Sequence, residues 1–101
     1  MQDASAKTVT AGWLVAVMLE VEGERAPMRH YYAVGVADQA RAEWTAVDRA
    51  VMAGRVATSP IGGIEPVAAV KALSAWRMKT LGLAQGEVRA LGFNHPRRWL
   101  A

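Results

Sequence analysis

The chain is 101 residues long, carries a formal net charge of +3 and contains no cysteine. That length suits one domain able to bury a core without metal or disulfide staples, and a hydrophobic fraction of 52% argues against disorder. Disulfides, thiol catalysis and Cys-ligated zinc are excluded outright. The apolar run Trp13–Leu19 is too short to span a bilayer. Met1–Lys7 carries Asp3 and lacks the basic start and apolar stretch of a signal peptide. The expectation is a cytoplasmic protein with no membrane partner.

In chain order, residues 1–8 read as a flexible leader. Trp13–Val21 and Met28–Val36 alternate with period 2, as two paired strands do. Trp13, Val15, Val17, Leu19 and Val21 share an apolar face. The opposite face begins apolar at Leu14 and ends charged at Glu20 and Glu22. A four-residue loop over Gly23–Ala26 would pair Glu20 with Arg29, Leu19 with His30, Val17 with Tyr32 and Val15 with Val34.

At Val36–Asp38 the rhythm changes. Asp38 suits an N-cap, and Ala40, Trp44, Val47 and Val51 recur at spacings of four, three and four, with Gly54 as a stop. This predicts a helix over 38–54 anchored on the hairpin by Trp44, whose truncation would then cost about 3–5 kcal/mol. Thr58–Gly63 is rich in turn signals, and Val56–Gly63 is compatible with a short third strand. Pro66 followed by an Ala-, Leu- and Lys-rich stretch predicts a second helix over 66–81. Gly82 breaks it, Gln85–Leu91 reads as a short helix or turn, and 93–101 as an irregular tail.

The fold expected is α+β, a single ββαα-type domain over 1–101. It has an N-terminal antiparallel hairpin (about 12–36), two main helices (about 38–54 and 66–81) and a short C-terminal helix or turn. A lone hairpin cannot bury its own apolar face. The cover must come from the helices or from a second copy, so dimerisation is expected to complete the fold and hide the strand edges.

Chemistry is thinly signalled. The histidines, His30 and His95, stand far apart, and Ser5, Ser59 and Ser74 lack a nucleophile-elbow context. His30 beside Tyr31 and Tyr32 is the one acid–base candidate. Glu20, Glu22 and Glu24, with Arg25 and Arg29 nearby, read as a solvated patch. The Thr58–Gly63 loop lacks the lysine and spacing of a P-loop. No catalytic residue, metal or cofactor is expected, and the chain is read as a non-enzyme.

Charge is more informative. Residues 1–54 hold Lys7 and four arginines against seven acids. Residues 55–101 hold Arg55, Lys71, Arg77, Lys79, Arg89, Arg97 and Arg98 against only Glu65 and Glu87. Such a basic half can meet an anionic partner. Ser74–Leu91 partly matches a helix-turn-helix, with Gly82 at the turn and Gln85 and Arg89 on the second helix. Arg77, Met78 and Gly86 depart from that pattern. Arg97, Arg98 and Trp99 would trail behind as phosphate and stacking contacts. Trp76 and Trp99 are the tryptophans expected at an interface. The leading expectation is therefore a homodimeric, non-enzymatic binding or adaptor module. The alternative is a nucleic-acid-binding regulator that uses the basic C-terminal half.

Overall fold

A computed structural model describes residues 9–100. Five strands form one antiparallel sheet: β1 (Thr10–Glu20), β2 (Met28–Val34), β3 (Arg55–Val56), β4 (Val67–Ser74) and β5 (Val88–Gly92). Three helices accompany them: α1 (Gln39–Ala50), α2 (Ala75–Leu81) and the single-turn α3 (Arg97–Leu100). β1 is central. β2 covers one of its edges, and β4 and then β3 share the other, β4 against Thr10–Val17 and β3 against Leu19 and Glu20. β5 completes the sheet beyond β2.

The helices divide between the two faces. α1 brings Ala42, Ala46 and Ala50 onto Val15, Val17, Leu19, Tyr32 and Val34. On the other face, Met78, Leu83 and Trp99 pack on Leu14, Ala33 and Leu73. β1 is thus buried on both faces as well as both edges, which explains its near-continuous apolar run. Tyr32 sits within the first cluster, and burial raises its phenol above the usual tyrosine range, with Arg49 pulling the other way.

This corrects the expected hairpin followed by two main helices. Val67–Ser74 is a strand, because its pairing along β1 outweighs the helix propensity of its alanines. Only Ala75–Leu81 of the expected second helix is helical. Val88–Gly92, read as helix or turn, is also a strand. β4, β5 and the helices supply the cover the hairpin needs, so no second copy is required to complete the fold. The leader expected at 1–8 lies outside the described residues. The tail is not irregular throughout: α3 folds back and buries Trp99.

The hairpin itself is present, in a different register. Leu19 pairs with Met28, Val17 with His30, Val15 with Tyr32 and Trp13 with Val34. The slip of two residues preserves which side chains share a face, and so leaves the burial pattern unchanged. It lengthens the connection beyond Gly23–Ala26, with Glu24 N–H donating to the Val21 carbonyl at 3.0 Å.

α1 departs from expectation in its rotation. Asp38 caps it as expected, Oδ1 accepting from Ala40 N–H at 3.1 Å. The buried stripe is the alanine one, while Trp44 is 70% exposed. Valine, leucine and tyrosine already fill the sheet's face, so the close approach favours a helix side made of methyl groups. The core role expected of Trp44 is overturned.

Two of the three edge strands are interrupted, and the third, β3, is only two residues long. Ala69 and Lys71 of β4 pair with the adjacent Val15 and Leu14, leaving Val70 as an extra residue. Leu91 of β5 is extra in the same way, between the partners of Tyr32 and Tyr31. Bulges of this kind make a strand edge a poor template for another strand.

Candidate interaction surfaces

Rotating α1 onto its alanines leaves its bulkier apolar stripe outside. Ala40, Trp44 and Val51 are exposed and Val47 is half-buried. Beside them Val56 of β3 and Val67 of β4, with Glu43, Trp44 and Val47, line a groove of about 340 Å³. Arg41 and Asp48, two turns apart and both exposed, flank the stripe. Among the described residues neither takes part in an ion pair. This surface escaped the sequence reading, although the signal was there: α1 carries two stripes, and the one at Ala42, Ala46 and Ala50 has the shorter side chains.

The basic half is built around helix ends. Ser74 Oγ accepts from Arg77 N–H at 3.0 Å to start α2, and Gly82, at φ 75°, ends it in the left-handed conformation. Strand β5 stands where a helix-turn-helix would place its recognition helix, so that resemblance stops at the turn. Arg89 Nη2 donates to the Gly82 carbonyl at 2.6 Å and Nη1 to that of Leu81 at 3.2 Å. Its Nε and Nη2 donate to Glu87 Oε2 at 3.0 and 2.8 Å, and its guanidinium lies 6.0 Å from the Trp99 ring centre. Lys71 Nζ donates to the Leu100 carbonyl and Arg77 Nη2 to that of Arg98. Three of the seven cations therefore satisfy carbonyls at helix C-termini, where positive charge is favoured.

The residues singled out from sequence thus separate. Arg89 holds the α2 turn, and Trp99 is 8% exposed, within the core. Gln85, Arg97 and Arg98 are exposed, and Trp76 is 72% exposed on the side of α2 away from buried Met78. Of the two tryptophans expected at an interface only Trp76 presents its ring, joined by the unexpected Trp44. Gln85 also lines a cleft of about 690 Å³ with Arg41, Lys79, Met78 and Leu83. Comparison with protein-family models, curated proteins and solved structures finds no match.

His30 packs on Phe93 at 5.7 Å between ring centres, and His95 meets Tyr31 edge-on at 6.3 Å. Strand alternation puts His30 and Tyr32 on one face of the sheet and Tyr31 on the other. The acid–base group suggested by their adjacency in sequence is therefore divided.

Glu87 ties the cleft wall together. Its Oε1 accepts from Ala84 N–H at 2.8 Å, and that bond, followed by the one from Arg89, holds its carboxyl below the usual glutamate range. A depressed native pKa gives stability that is present above the unfolded value and lost as pH falls through the native one. The Ala84 amide should accordingly exchange faster as pH drops below the ordinary glutamate range, after correction for intrinsic exchange. Glu87→Gln should abolish that acid-dependent step, as followed by NMR. An unchanged step in the variant would refute the assignment.

Proposed function

We propose that this chain is a non-enzymatic binding module that works as a homodimer, two copies of α1 lying antiparallel across a two-fold axis. The observation that carries this reading is the outward apolar stripe of α1 with Trp44 at its centre. A stripe of this kind marks an interaction site on a small domain, and tryptophan is the residue most enriched among interface anchors.

The pattern of the stripe favours a second copy as the occupant. Its spacings of four, three and four read the same in both directions, as an isologous helix pair requires. In antiparallel register Trp44 meets the partner's Val47, at the groove wall, and Ala40 meets the partner's Val51. Arg41 then lies beside the partner's Asp48, and the same pairing recurs across the axis. The surface thus supplies a projecting ring, a recess and complementary charges on one patch.

Sedimentation at about 1–100 μM should show a monomer–dimer equilibrium. Trp44→Ala should raise the dissociation constant at least about 30-fold, the weight of an interface anchor. The same change should alter monomer stability by no more than about 0.5 kcal/mol, since the ring is exposed. Arg41→Glu should weaken association, and adding Asp48→Arg should restore it. A monomer throughout that concentration range would overturn the reading.

A further inference from the structure

The face opposite α1 carries a second arrangement that the helix-to-helix pairing leaves open. Trp76 stands on the crest of α2, 72% exposed, one turn before exposed Lys79. On its other flank Arg77 reaches to α3, where Nη2 bonds the Arg98 carbonyl at 2.7 Å. That bond ties α2 to α3, the turn that carries the exposed Arg97 and Arg98. Arg77 Nε is buried and has no hydrogen-bond partner among the described residues. The acid nearest in sequence, Glu87, is already paired with Arg89. Beyond Lys79 the open cleft continues to Gln85. The two linked helices thus carry three exposed cations, Lys79, Arg97 and Arg98, together with one uncovered indole.

We propose that this surface binds single-stranded nucleic acid, Trp76 stacking on a base while the exposed Lys79, Arg97 and Arg98 track the phosphates and Arg77 holds α3 in place beside them. Every base has a face on which an indole can stack, and a flexible strand can follow cations set on two short helices. A duplex hides its bases and gives the ring nothing to stack on. Arg89 and Trp99 take no direct part. They fix α2 and α3 relative to each other.

The test is fluorescence anisotropy of the full chain with a labelled 20-nucleotide oligothymidine, the corresponding oligouridine and a duplex of equal length, at 50 and 200 mM salt. Single strands should bind at micromolar concentration. With three phosphate contacts, affinity should fall about 20-fold between the two salt conditions. Trp76→Ala should weaken binding about 5- to 150-fold, the range for one stacked base. The paired change Arg97→Ala and Arg98→Ala should lower both affinity and the salt slope. Since all three side chains are exposed, unchanged melting temperatures should show the variants folded. Absence of binding at either salt concentration would overturn the proposal. So would binding that is indifferent to Trp76, or a duplex held as tightly as the single strands. The α1 reading is untouched by these outcomes, because none of the residues changed lies on α1.

Discussion

Trp99→Ala should be among the most damaging single substitutions, lowering stability by about 3–5 kcal/mol. The indole is 8% exposed and closes the cluster of Leu14, Ala33, Leu73, Met78 and Leu83. α3 has four residues, far below the length at which a helix holds itself together. Without the ring, the carbonyls of Leu100 and Arg98 would leave Lys71 and Arg77, and Arg89 would lose the surface it lies over. In a domain of this size the expected fall in melting temperature exceeds about 10 °C. Thermal and urea denaturation followed by circular dichroism would measure it. A variant melting within about 2 °C of the parent would show that the C-terminal turn is not part of the core.

Gly35→Ala should be costly for a different reason. Gly35 has no positive φ, so the constraint is space. An added Cβ would intrude on the Ala84 carbonyl oxygen and stand 3.0 Å from the Gly86 nitrogen, both backbone atoms with no rotamer to yield. Gly35 also bonds this loop twice, N–H to the Glu87 carbonyl and its own carbonyl to Gly86 N–H, each at 2.8 Å. Overpacking costs about 1–3 kcal/mol, and each strained hydrogen bond adds about 0.5–1.5 kcal/mol. A loss of about 2–6 kcal/mol is therefore expected in denaturation, with faster exchange of the Gly35 and Gly86 amides. Parent-like stability and protection would show that the loop has room to withdraw.

The hairpin was legible because period-2 alternation is a local property. Its register was not, because a slip of two residues leaves every face unchanged and only the longer turn sets the pairing. α1 was legible as a helix from Asp38 and its periodicity. Its rotation depended on the crowding of Val15, Tyr32 and Val34 on the sheet, which lies elsewhere in sequence. β4 was hidden by its alanines. Val67–Leu73 has the composition of a helix, and only the open edge of β1 makes it a strand. Ser74 was the local clue, a side chain suited to begin a helix at 75 rather than at 66. Among the candidate site residues, charge asymmetry drew attention to the C-terminal half as a whole. It could not separate Arg97 and Arg98, which face outward, from Lys71, Arg77 and Arg89, which hold helix ends.

The extra residues at Val70 and Leu91 bear on how far any assembly can grow. A helix-mediated pair uses one face of each copy and places the broken edges of β4 and β5 where a third chain would have to extend the sheet. Neither edge offers an unbroken row of backbone groups and β3 spans only two residues, so both ends are poor templates for a further strand. Association through α1, as proposed, would consequently be a closed event, complete at two copies. Of the two exposed tryptophans such a pair would cover Trp44 and leave Trp76 free for a different kind of contact.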